Sequence, residues 1–251
     1  MQRHILPAAV CLLMGFTGAT AIAQPSTQKD KTTLAAPEEA VQKNATYRVG
    51  LKSISVPPPS GLEETGSDFR VLFERLAPDS NRLVAAFVPE ADIAKFPTGP
   101  EGGLTRYALL ETLRQDEFSE IDDTFFAQAK ELVAKQFGTT PDAAVWDIKT
   151  GQDELNHKLK VQGSTAEVSL DKPVTLGVFF SKPEAISFGA LMNVNSGGTT
   201  QKMVLGMSFL RARNRILYAF VYTRYTGDES VAWVRTTSEQ WTNAILKANP
   251  K

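Results

Sequence analysis

The stretch KMVLGMSFLRARNRILYAFVYTRY, Lys202 to Tyr225, decides the fold class of this chain. Apolar residues dominate two runs, Lys202 to Arg213 and Arg215 to Tyr225, and Arg213-Asn214 punctuates them. Two such runs joined by so short a connection make an antiparallel hairpin. The same grammar repeats upstream. Thr165–Leu170, Val174–Phe180 and Ala185–Asn195 read as strands, separated by Asp171-Lys172-Pro173, Ser181-Lys182-Pro183 and Asn195-Ser196-Gly197-Gly198. The expectation is a meander, with Val178, Phe180, Phe188, Leu205, Phe209, Ala219 and Val221 in its core. Downstream, Asp228 is the expected cap of a last helix. Val231, Val234, Trp241, Ile245 and Ala248 form its apolar stripe, flanked by Trp233 and Leu246. Hairpin-linked strands followed by a helix do not build a parallel sheet, so the class is α+β: an antiparallel sheet packed by helices.

The first half is less regular. Tyr47 to Val56 reads as one strand, closed by Pro57-Pro58-Pro59, because proline cannot donate to a ladder. Phe69, Leu72, Phe73 and Leu76 fall at helical spacing behind Ser67 or Asp68 as cap. Arg82–Val88 and a segment within Leu104–Leu113 read as strands, and Phe96 to Gly103 as a loop. Ser119-Glu120-Ile121-Asp122 resembles a capping box ahead of a helix with the stripe Ile121, Phe125, Ala129, Leu132, Val133 and Phe137, ended by Gly138. A short helix is expected near Asp153 to Lys160.

The N-terminus supplies an address. Arg3 and His4 precede the apolar run Ile5 to Phe16, and Ala21-Ile22-Ala23 has the small-x-small pattern of a signal peptidase site. Residues 1–23 are expected to be a cleaved signal, 24–43 a flexible leader, and 44–251 one domain, periplasmic or secreted. The apolar run is shorter than the roughly 20 residues a spanning helix needs, and no transmembrane segment is expected. Cys11 is the one cysteine in the chain and leaves with the signal. Disulfides, thiolate metal sites and cysteine nucleophiles are thereby excluded from the mature chain. With 27 basic against 28 acidic residues, the chain lacks the basic footprint of a nucleic-acid binder.

Chemistry-bearing motifs are scarce. After cleavage His157 is the remaining histidine, too little for an imidazole-based zinc site. Asp116, Glu117, Asp122 and Asp123 are candidate paired carboxylates, against the simpler reading that acids favour a helix start. Ser169-Leu170-Asp171-Lys172 matches Ser-x-x-Lys, but Pro173 disfavours the helical turn that chemistry needs. Asn195 to Thr200 reads as a hairpin loop rather than a phosphate cradle. Arg211, Arg213, Arg215 and Arg224 cluster around one hairpin and, with Trp233, are the candidate ligand-binding residues. The opposing reading is a solvated strand face. Arg211, Arg213 and Arg215 share a face only if the strand runs straight through the turn. No cofactor and no metal are expected.

Ile54 to Leu62, the strand Asn81 to Val88, the strand Leu217 to Tyr225 and the helix holding Trp233 and Trp241 look like a set of uncharacterised exported bacterial proteins. The order of elements from about Tyr47 to Asn249 resembles the PsbP/Mog1-like α/β/α sandwich. That resemblance implies a fold and carries over no functional residue. Two functions are expected in parallel: a non-enzymatic exported module that binds a small ligand or an envelope protein, or an envelope hydrolase using paired carboxylates.

Overall fold

In chain order the elements are β1 (Ala45–Val49), β2 (Lys52–Val56), β3 (Glu63–Glu64), α1 (Ser67–Leu76), β4 (Asn81–Val88), α2 (Glu90–Ile93), β5 (Arg106–Leu113) and α3 (Asp123–Gly138). There follow α4 (Ile148–Val161), β6 (Val168–Leu170), β7 (Val174–Lys182), β8 (Ala185–Ser196), β9 (Thr199–Ala212), β10 (Arg215–Arg224) and α5 (Asp228–Ala248). The computed structural model describes residues 44–94, 104–138, 148–165 and 167–250. The expectations for 1–43 and for the 96–103 loop lie outside them.

The meander forms as its periodicity predicts. Strands β7, β8, β9 and β10 follow one another as antiparallel neighbours, and β5, β4 and β3 continue the sheet beyond β10 in the order β3-β4-β5-β10-β9-β8-β6. Period-2 alternation then sorts side chains to two faces. One face carries Leu205, Met207, Phe209, Tyr218, Phe220 and Tyr222 and is covered by α1, α3 and α4. The other carries Val204, Leu210, Leu217, Ala219 and Val221 and lies under α5 and the β1–β2 hairpin. The layering is α+β with helices on both faces of an antiparallel sheet.

Helix α5 sits close because Gly206 offers no side chain beneath it. A Cβ on Gly206 would meet Ser238 Oγ and lie 2.7 Å from Val234 Cγ1. Trp241, 1% exposed, packs edge-on to Phe87 at 5.6 Å and donates its Nε1–H to the Pro57 carbonyl at 2.8 Å. The half-buried proline exit is thus an anchor for the last helix. Val234, Trp241 and Ile245 are fully covered, as the stripe requires.

Several boundaries depart from the pattern. Tyr47–Val56 is two strands, not one. Tyr47 pairs Ile54 and Val49 pairs Lys52 across a turn at Gly50-Leu51, with Gly50 at φ +55°. The apolar phase switches from odd to even between Val49 and Ile54, which is the mark of that turn. Helix α1 is capped at Gly66 and α5 at Gly227, neither with a side-chain cap bond, in place of Ser67 or Asp68 and of Asp228. Helix α3 starts at Asp123, and Asp122 Oδ1 accepts the Phe125 amide at 2.7 Å. The expected box fails because the backbone at 119–121 is bonded to the β9–β10 hairpin. Its buried stripe is Phe126, Ala129, Val133 and Phe137; Phe125 and Leu132 stay 40% and 47% exposed. Helix α4 is longer than expected and β6 shorter. Val178 faces solvent, since the edge strand β7 is irregular around Gly177.

Candidate functional site

The β9–β10 turn is Arg213-Asn214, with φ of +47° and +61°. Both values belong to the primed two-residue hairpin turn, whose twist matches the flanking strands. Asparagine tolerates this region. Arginine does so at a cost of about 1–2 kcal/mol, because its Cβ crowds the following carbonyl. Strained residues of this kind concentrate where function requires them.

The turn reverses the chain, so the arginines part. Arg211 opposes Ile216 and Arg215 opposes Ala212, which sends Arg211 and Arg215 to opposite faces of the sheet. Both then close on the segment ahead of α3. Arg211 donates to the Ile121 carbonyl at 3.0 Å and pairs with Asp123. Arg215 donates to the Ser119 carbonyl at 2.5 Å and lies 3.4 Å from Glu120 Oε1. Between them the Ile121 amide donates to the Asn214 carbonyl at 3.0 Å. Segment 119–123 is therefore gripped from both sides of the sheet. Arg211 is 5% and Arg215 1% exposed, and burial holds the Arg211 guanidinium below the ordinary arginine range while Asp122 opposes it.

Arg213 remains exposed and donates to the Ser53 carbonyl at 3.0 Å. With Arg211, Asn214, Glu184, Leu246 and Asn249 it lines a cleft of about 290 Å³ at this end of the sheet. The back wall is fixed by Asn249. Its side chain accepts the Ser55 amide at 2.8 Å and donates to the Ser55 carbonyl at 2.7 Å and the Ile245 carbonyl at 2.8 Å. The Arg213 guanidinium and the Glu184 carboxylate, with apolar Leu246 in the same lining, can orient a small polar molecule.

The remaining expected site residues lie elsewhere. Arg224 closes β10 at its other end, about 30 Å from Arg215 at the strand rise. Trp233 lies at that end too, with the Arg106 guanidinium 4.6 Å from its ring centroid. The five candidates thus divide between two ends of the sheet. The four acids are also apportioned. Glu117 bonds Arg82 at 2.9 Å and the Gly50 amide at 3.2 Å. Asp122 caps α3 and Asp123 pairs with Arg211. Asp116 lies in the turn after β5, its amide bonded to the Leu113 carbonyl at 3.0 Å. Burial pushes Glu117 up, but Arg82 and the Gly50 amide outweigh it and hold its carboxyl below the usual range. His157 is exposed on α4, and Ser169 lies in β6, accepting from Asn195 at 3.3 Å. Among the described residues no group of three His, Cys, Asp or Glu is placed to hold a metal. No helix among them is long and apolar enough to cross a membrane.

Glu184, Leu246 and Asn249 were not legible as site residues. Glu184 is one turn residue among many, and Asn249 is an ordinary helix end until its amide reaches β2.

No family model and no curated protein matches this chain. Among solved structures it is similar to the Saccharomyces cerevisiae Ran-binding protein Mog1p, at 12% identity over 82% of this chain and 94% of that one, with a TM-score of 0.29. It is likewise similar to a mutant of protein Mog1, at 13% identity over 81% of this chain and 94% of that one, TM-score 0.29. This is a weak resemblance of fold.

Proposed function

We propose that this chain is an exported, non-enzymatic binding module, and that its ligand seat is the cleft at the β9–β10 turn. The ligand is a small molecule carrying a carboxylate or similar anionic group, received by Arg213. The observation that carries this reading is Arg213 itself: an exposed guanidinium held at φ +47° on the rim of a cleft with a rigid back wall. A binding role rather than hydrolysis is supported by the separate structural employment of Glu117, Asp122 and Asp123. Export is supported by the Arg3-to-Ala23 pattern.

Titration of labelled protein with acetate, benzoate, glutamate and inorganic phosphate, followed by amide NMR shifts, tests the seat. The expected result is saturable movement of the Asn214 and Asn249 signals with at least one carboxylate, lost in Arg213→Ala. Shifts unaltered by that substitution refute it. N-terminal sequencing of the protein from the periplasmic fraction tests export, with Gln24 expected first.

A further inference from the structure

The β1–β2 turn is built so that Gly50 lies against the backbone of residues 117 and 118. A Cβ on Gly50 would collide with the Glu117 carbonyl oxygen and lie 3.2 Å from Phe118 Cα. The Gly50 amide donates to Glu117 Oε1 at 3.2 Å, which fastens the contact. The next residue in the turn is Leu51, so the Gly50 contact sets the Leu51 turn against the turn that carries Phe118, although the two lie far apart in sequence. Leu51 is 75% and Phe118 67% exposed. Exposed apolar residues scattered singly are ordinary, but two large ones on adjoining turns at one tip are less so. The tip is convex, so it offers no groove for a ligand.

Charge selects the occupant. Arg82 and Glu117 satisfy each other at 2.9 Å. Around the tip Arg48 and Arg114 are exposed, Lys52 is half-exposed and pairs with the exposed Glu120 at 3.1 Å, and Asp116 is half-buried. Apolar side chains inside a cationic rim match an anionic bilayer surface, where the chains enter the interface and the cations meet headgroups. We propose that Leu51 and Phe118 form a membrane-docking tip for anionic lipid. This goes beyond the cleft reading and uses none of its residues.

The test is co-sedimentation of the full chain with vesicles of phosphatidylglycerol mixed with phosphatidylcholine, and with pure phosphatidylcholine. Residues 5–16 are common to all variants, so differences between variants report the tip. Wild type is expected to prefer the anionic vesicles. Leu51→Asp with Phe118→Asp should weaken that binding at least about tenfold, since two large apolar side chains no longer enter the interface. The urea midpoint should not change, because both positions are exposed. Arg48→Glu should weaken binding to anionic vesicles alone, and added salt should do the same. Phe125→Asp with Leu132→Asp, exposed apolar positions on α3, should leave binding intact. Equal binding by wild type and the tip variant overturns the proposal, as does equal loss in the α3 variant or indifference to headgroup charge. Vesicle binding unchanged by the tip variant, together with loss of a cross-linked protein partner, would assign the tip to a protein pocket and overturn it as well.

Discussion

Replacing Gly50 with alanine separates two effects that glycine usually confounds, because Gly61 supplies an internal control. Both have positive φ, +55° and +75°. A Cβ at Gly61 has nothing within 4 Å, whereas one at Gly50 meets backbone of the 117–118 segment. Left-handed backbone costs alanine about 1–2 kcal/mol. Loss of unfolded-state freedom returns about 0.4–1 kcal/mol. Gly61→Ala should therefore destabilise by about 1 kcal/mol. Gly50→Ala carries the same term and must also lift the turn off Glu117, breaking a bond to a carboxylate that contributes about 1.5 kcal/mol at its long geometry. With residual strain, the loss should be about 3 kcal/mol. At about 2–4 °C per kcal/mol for a domain of this size, Tm should fall by about 6–12 °C, against about 2–4 °C for Gly61→Ala. Urea unfolding followed by tryptophan fluorescence measures both, with an unchanged m-value as the check that the denatured state is unaltered. If the two variants fall within about 0.5 kcal/mol of each other, the close approach of the turn to residues 117–118 is wrong.

Three further outcomes follow from the packing. Trp241→Ala should cost about 3–5 kcal/mol in urea unfolding, and Trp241→Phe about 1–2 kcal/mol, because the latter keeps the ring against Phe87 but leaves the Pro57 carbonyl unsatisfied. Converting the turn to Asn-Gly, by Arg213→Asn with Asn214→Gly, should raise stability by about 1 kcal/mol and abolish carboxylate binding in the NMR titration; a loss of stability would show that the bond from Arg213 to Ser53 outweighs the backbone strain. Glu117 has a lowered folded pKa, so its contribution is present above the ordinary glutamate value of about 4.3 and is lost as pH falls through the folded value. The urea midpoint of Glu117→Gln should accordingly fall less than that of wild type between pH 5 and pH 3, at about the same ionic strength.

Much of the sheet is legible because alternation and punctuation are local. Strands β8, β9 and β10 are bounded within a few residues by Gly197-Gly198 and Arg213-Asn214, and these turns decide the antiparallel pairing. Local reasoning failed where a distant partner took over a backbone group. Ser119 and Ile121 have the composition of a helix start, yet their carbonyls accept from Arg215 and Arg211. Phe125 and Phe126 are both at acceptable positions on α3, and only the stack of Phe126 on Phe209 at 4.9 Å decides between them. The Gly50 turn was marked by a phase change in the alternation, a signal weaker than the strand propensity on either side.

The same division holds for the site. Residue types and order determined an antiparallel meander closed by an amphipathic helix, since hydrophobic period and turn chemistry act over a few residues. They also determined that four arginines surround one hairpin. Which of them is available is a tertiary result: the turn reverses the chain, parity sends Arg211 and Arg215 to opposite faces, and both are drawn into burial by carbonyls about 90 residues away in sequence. Arg213 stays outside because it occupies the turn itself. Exposure depends on what long-range packing covers, and no local pattern encodes that.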